Sequence, residues 1–245
     1  MSGVSRRLPN VIRACRGLVR AMPVKRALWK DVQHGLDPKF SPLSLPVRGV
    51  KHRAIQFKKA PLDYPPVTGS DHWRRKLRTT FRCFDTNGDG YVSKEDFVIS
   101  AKRCAQYLGL NDERTQCVLN QRTRIWGIIP KGADASKISE DDYVNGGLTV
   151  FNQHSFRQEF LPMVITEDFN AMDIDGDGII SHEEHKAFFY SLNIPVEMSK
   201  KIFDVMDIDK DGLITIDEFA HAMTEFLLTE DQDNAYSGFF GPLAD

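Results

Sequence analysis

The chain has 245 residues, 41% hydrophobic and 27% charged, with a formal net charge of −2. That length holds one or two domains with an apolar core, and no apolar run is long enough to cross a bilayer as a helix. The small net charge hides a division: residues 1–59 carry 14 Lys and Arg against only Asp31 and Asp37, so the remainder is strongly acidic, as suits a multi-site cation binder.

Residues 1–30 contain eight basic side chains and no acid. Leu8, Val11, Ile12, Cys15, Leu18, Val19 and Met22 recur at helical spacing, with Arg13, Arg16 and Arg20 away from that stripe. An Arg-rich, acid-free amphipathic N-terminus predicts a mitochondrial transit peptide. The alternatives are a membrane-surface helix or a basic arm that stays attached, with a cytoplasmic location. From 31 to 68 no period is sustained, and prolines fall at 38, 42, 46, 61, 65 and 66, which predicts a linker or disordered segment. No aromatic interleaving accompanies its basic residues, so nucleic acid is not an expected partner.

Order is predicted to begin at Ser70 or Asp71, either of which could cap a helix. Trp73, Leu77, Phe81 and Phe84 then line one face. Asp85 to Asp96 matches a twelve-residue calcium loop, with Asp85, Asn87 and Asp89 at positions 1, 3 and 5, the Tyr91 carbonyl at 7 and Asp96 at 12. Aspartate in place of the usual glutamate at position 12 shortens the reach of the bidentate ligand. That should lower Ca2+ affinity and favour the smaller, octahedral Mg2+. A second hand is expected between an incoming helix over 111–126 and an outgoing one starting near Asp141, with its loop at 131–142. Lys131, Ala133 and Ala135 would occupy positions 1, 3 and 5, so this hand should pair through Ile138 without binding metal. An ordinary helix connection is the alternative.

Residues 153–161 are read as the joint between the halves, with Pro162 in the first turn of the next helix. Two further loops follow, and both match the full motif. The first offers Asp173, Asp175, Asp177, the Ile179 carbonyl and Glu184; the second offers Asp207, Asp209, Asp211, the Leu213 carbonyl and Glu218. Gly178 and Gly212 stand at position 6, where the chain turns sharply. Ile180 and Ile214 at position 8 can bridge the two loops. The preceding helices repeat as well, as Phe169-Asn-Ala-Met172 and Phe203-Asp-Val-Met206. The aromatic tail, Tyr236 to Leu243, is expected to dock on the body.

His182-Glu183-Glu184-His185 has histidines three apart, where a zinc-protease helix needs four, and Glu184 is committed to calcium. No catalytic residues are assigned and no enzymatic role is expected. Among the cysteines, Cys15, Cys83, Cys104 and Cys117, no spacing suggests bridges or zinc, and buried free thiols are expected at Cys83 and Cys104. The predicted fold class is all-α, a compact four-EF-hand protein of two paired lobes. Its divisions are the leader and linker (1–68), the first hand pair (69–160) and the second pair with its tail (161–245).

Three intact hands, a degenerate second one and the Phe239-Phe240-Gly241-Pro-Leu243 tail resemble the invertebrate sarcoplasmic calcium-binding proteins and their relatives, the coelenterazine (luciferin)-binding proteins. The resemblance covers roughly residues 70–245. It implies either Ca2+/Mg2+ buffering or calcium-gated carriage of a small aromatic ligand in an interior cavity. The related photoproteins use C-terminal Trp and His residues to activate their substrate. Here the last tryptophan is Trp126 and only His221 follows the start of the last loop, so light emission is not expected. The reading is a monomeric Ca2+/Mg2+ buffer or sensor. The alternatives are a luciferin-type carrier and, behind it, a sensor that grips a target helix between Met172, Met198, Met206 and Met223.

Overall fold

Six of the eight described α-helices begin where a short polar side chain can accept a hydrogen bond from the first free amides. The structure, a computed structural model, describes residues 54–129 and 136–244. The expected transit helix, Cys15 and the hand-two positions Lys131, Ala133 and Ala135 lie outside those residues. Helix α1 (Asp71–Phe84) starts at Ser70, whose hydroxyl accepts from the Trp73 amide at 3.3 Å. It is followed by β1 (Tyr91–Ser93), α2 (Lys94–Tyr107) and α3 (Asp112–Ile128), the last capped by Asn111. Strand β2 (Lys137–Ser139) leads into α4 (Glu140–Val150). β1 and β2 pair antiparallel with Val92 opposite Ile138, so the second hand is present as a structural partner of the first.

Helix α5 (Leu161–Met172), β3 (Ile179–Ser181) and α6 (His182–Ser191) form the third hand. Helix α7 (Ser199–Met206), β4 (Leu213–Thr215) and α8 (Ile216–Leu228) form the fourth. β3 and β4 pair antiparallel with Ile180 opposite Ile214. The described residues thus hold eight α-helices and two two-stranded ribbons. None of these helices is long and apolar enough to cross a membrane.

The hand pairs share one core. Trp73 and Leu77 of α1 cluster with Leu161, Phe169, Phe219, Phe226, Phe239 and Phe240, and the Trp73 indole donates to the Leu227 carbonyl at 2.9 Å. The Lys76 ammonium, fully buried, donates to the carbonyls of Phe226 and Thr229 and so satisfies the end of α8 from α1. The tail is docked as expected: Phe239 and Phe240 are buried, Phe240 stacking edge-on to Phe84 at 5.7 Å and to Phe226 at 5.4 Å. Cys83 and Cys104 are buried free thiols, and Cys117 is exposed.

One expectation is corrected. Residues 54–68 are not a loose linker. Tyr64 and Val67 are buried, and the segment is bonded along its length. The Gln56 amide donates to Asp217 at 2.8 Å, Tyr64 Oη donates to Glu225, and Glu230 accepts from the Thr68 and Ser70 amides. From the other side, the buried Arg157 guanidinium donates to the Tyr64 and Pro65 carbonyls. Pro61, Pro65 and Pro66 forbid a long helix but pre-set an extended strap that loses little entropy on docking. The 153–161 joint carries a π-helical turn at residues 156–160 that runs straight into α5, and Pro162 stands in the first turn of α5, as expected.

Candidate metal centre

The loops are built by the same local rule as the helices. Ser93, Ser181 and Thr215, at loop position 9, are N-caps, and the position-12 carboxylate is the residue that completes each capping box. The metal-ligand pattern and the helix start are therefore one piece of geometry. Glu184 Oε2 accepts from the Ser181 amide and hydroxyl at 2.8 Å, while Oε1 accepts from the Ile174 amide at 2.7 Å. Glu218 repeats the arrangement with Thr215 and Ile208.

Position 1 organises the other end. Asp173 accepts from the amides of Gly176, Asp177 and Gly178, and its carboxylate converges with those of Asp175 and Asp177 to within 4.8 Å. Asp207, Asp209 and Asp211 converge in the same way. Burial, with Glu184 and Asp177 nearby, pushes the Asp173 carboxyl up to about 6, against the pull of its amide donors. Asp207 Oδ1 is buried with no hydrogen-bond partner. A buried carboxylate oxygen left unpaired beside two further carboxylates fits a hard divalent cation, which supplies the missing partner. At position 6 the backbone is left-handed, with φ +90° at Gly178 and +86° at Gly212.

Loop one is assembled likewise but differs at its ends. Asp85 accepts from the Gly88, Asp89 and Gly90 amides. Asp96 Oδ2 accepts from the Ser93 amide and hydroxyl, and Oδ1 from the Asn87 amide and the Thr86 hydroxyl. The shorter side chain is drawn inward, to 1% exposure against 8% for Glu184. Neutral Asn87 stands at position 3, and its amide donates to Asp89 at 3.3 Å. The Tyr91, Ile179 and Leu213 positions fall at the first residue of β1, β3 and β4, as the motif requires.

The Glu183-flanking histidines are packed against rings. His182 and His185 both meet the Phe203 ring edge-on, and His185 Nδ1 lies 2.7 Å from Ser199 Oγ. Burial pushes His185 down to about 3, which keeps it neutral. A buried polar group at the centre escaped the sequence reading. Arg122 lies over the Phe188 ring at 4.9 Å, its Nε and Nη2 unpartnered, beside Asp168, whose carboxyl burial pushes up to about 7. They line a cavity of about 10 Å3 with Phe84, Phe97, Phe188, Phe239 and Phe240, room for one water molecule. No local motif could have announced this pair, because α3 and α5 meet only in the tertiary fold.

Known proteins resemble the chain in the same places. The model of an EF-hand domain pair matches residues 163–224, and that of a single EF hand matches residues 77–98. The sarcoplasmic calcium-binding protein of Perinereis vancaurica tetradentata is 30% identical over 178 residues, 71% of this chain and 99% of its own length. The chain belongs to the sarcoplasmic calcium-binding protein family. As a member of it, the protein is an EF-hand calcium-binding protein. The luciferin-binding protein of Renilla reniformis is 26% identical over 73% of this chain and 100% of its own. Among solved structures, the coelenterazine-binding protein of Renilla muelleri in its calcium-loaded apo form superposes with a TM-score of 0.60 at 24% identity. It covers 71% of this chain and 99% of the other, which supports the shared fold.

Proposed function

We propose that this member of the family is a Ca2+/Mg2+ buffer with three sites. These are Asp173–Glu184 and Asp207–Glu218 for calcium, and Asp85–Asp96 as a weaker site open to magnesium. The supporting observation is that the chain fills its own apolar interior. Of the four methionines that a target-gripping sensor would present, Met172, Met206 and Met223 are buried and Met198 is half-buried, and the central cavity holds about 10 Å3. Ion binding then has no large guest to release from that central cavity. The protein is proposed to act without catalysis and as a monomer.

Calorimetric titration of the full chain with calcium, with and without millimolar magnesium, tests the reading. Three sites, with magnesium weakening the one at Asp85–Asp96, are expected. A strong calcium-dependent rise in hydrophobic-dye fluorescence would overturn it in favour of a sensor.

The second reading is a carrier of a small aromatic ligand. It is favoured by the luciferin-binding relative and by a groove of about 230 Å3 between α7 and the tail, lined by Met198, Ile202, Tyr236 and Leu243 among others. Protein purified from its source with a chromophore that calcium releases would establish it.

The basic, acid-free leader supports a further proposal, import into mitochondria with the cytoplasm as the alternative. A fluorescent fusion of residues 1–53 that stayed diffuse would reject import.

A further inference from the structure

Loops one and three are each bonded to the other hand pair at the same place, position 2. The Thr86 carbonyl of loop one accepts from Asn193 Nδ2 at 3.2 Å, and Asn193 stands just after α6, the helix that leaves hand three. The Ile174 carbonyl of loop three accepts from Arg114 Nη1 at 3.2 Å, and Arg114 lies in the first turn of α3, the helix that enters hand two. Asn193 is held in turn by Arg103 of α2, which donates to its side-chain oxygen and to the Tyr190 carbonyl.

The other side of each position-2 residue is tied to the position-12 carboxylate. Ile174 donates its amide to Glu184 Oε1 at 2.7 Å, and the Thr86 hydroxyl donates to Asp96, as does the next amide, Asn87. Each position-12 ligand is thus one residue away from a side chain of the opposite pair. Asn193 also holds a left-handed backbone, φ +58°, which glycine adopts at no steric cost. The side chain there is kept where the backbone alone would favour glycine, and its two bonds lead to hand one.

We propose that Asn193 and Arg114 are positioning residues that couple metal binding at loop one to metal binding at loop three, a link in addition to the strand pairing inside each pair. The proposal rests on the reading of both loops as metal sites. When an ion draws Asp96 or Glu184 into its coordination shell, the position-2 peptide is reset with it. The Asn193 and Arg114 bridges carry that change to the other loop. By linkage the effect is reciprocal.

The test reads hand one alone. Tyr91 is the aromatic residue at position 7, where the other two charged loops carry Ile179 and Leu213. Terbium luminescence excited through Tyr91 therefore reports loop one, and Tyr91→Leu is the control that removes the signal. In the full chain, Glu184→Gln is expected to weaken terbium binding at loop one about five-fold or more, the lower end of ordinary coupling energies. Added to a chain already carrying Asn193→Gly and Arg114→Ala, the same substitution is expected to change it less than about two-fold. Arg114→Lys, which keeps a donor, should restore part of the coupling. Indifference of loop one to Glu184→Gln in the otherwise unaltered chain, or coupling undiminished after both bridges are removed, overturns the proposal. Absence of any Tyr91-sensitised signal in the unaltered chain would defeat the metal reading of loop one itself, and the proposal with it.

Discussion

The two hand pairs use one scaffold to different ends. In the second pair both loops gather three aspartates and a glutamate, and the one ribbon and both caps frame candidate metal sites. In the first pair the ribbon is just as well formed, with Val92 facing Ile138. Yet loop one has an asparagine and a short position-12 ligand, and the second hand offers Ile138 and Ser139 to the architecture without the carboxylates of a motif. The difference separates two requirements that a motif search fuses. Pairing needs a buried β-branched residue at position 8 and a cap at position 9. Metal binding needs oxygens at 1, 3, 5 and 12. A hand can keep the first set and lose the second.

The largest expected effect tests whether the pairs are separate bodies at all. Phe240 packs on Phe84 of the first pair and on Phe188 and Phe226 of the second. Phe240→Ala should cost about 3–5 kcal/mol and lower the thermal midpoint of both pairs together in one transition. Two resolved transitions would break the shared-core picture. Next, Glu184→Gln should reduce calcium affinity at the third hand by on the order of a hundredfold, since ligand charge sets the affinity range of these loops; isothermal titration reads it directly. Asp96→Glu should sharpen the comparison from the other side, raising the calcium preference of loop one over magnesium by about ten-fold, seen as a loss of magnesium competition.

Smaller effects follow from the backbone and from Lys76. Position 4 is left-handed in all three loops, glycine at 88 and 176 but Lys210 in the fourth, with φ +64°. Lys210→Gly should raise the metal-free thermal stability by about 1 kcal/mol through relief of that strain. Its side chain also donates to the Asp204 carbonyl, a contact that the exchange removes. Burial pushes the Lys76 ammonium down to about 8 from an ordinary 10.5, so the unfolded chain binds more protons between those values. Its contribution to stability is therefore full above the upper value and is lost as pH falls through the lower one. Denaturant unfolding from pH 8 to 10 should show a less positive slope for Lys76→Met than for the unaltered chain. The difference cancels the opposing thiol and phenol titrations common to both.

Much of this was legible in the chain. The metal loops could be read because coordination chemistry dictates residue types at fixed local spacing, and Ser70 announced a helix start for an equally local reason. The second hand was recognisable by Ile138 despite its missing carboxylates. What escaped were features whose partners lie far away. Tyr64 meets Glu225, Arg157 meets the Tyr64 and Pro65 carbonyls, and Asn193 meets Thr86. Proline density correctly excluded a helix at 61–66 but said nothing about whether backbone carbonyls there would find a buried guanidinium. The π turn before Pro162 escaped because its register is set by packing of Phe156 and Phe160, one ring against the other at 5.5 Å.

The strap at 54–68 has a practical consequence for anyone who trims this protein. A maturation protease, or an expression plasmid, that removes the leader ahead of residue 54 leaves the strap's described bonds to the body in place. A cut at 69, where motif matching alone would draw the boundary, takes from Arg157 three carbonyl acceptors at Pro61, Tyr64 and Pro65 and leaves it the Phe151 carbonyl and the Asn152 side chain. It also removes the Thr68 amide and hydroxyl that Glu230 holds beside the start of α1. Such a fragment would begin life with a half-paired guanidinium, and its poor yield or early aggregation would say nothing about its calcium sites.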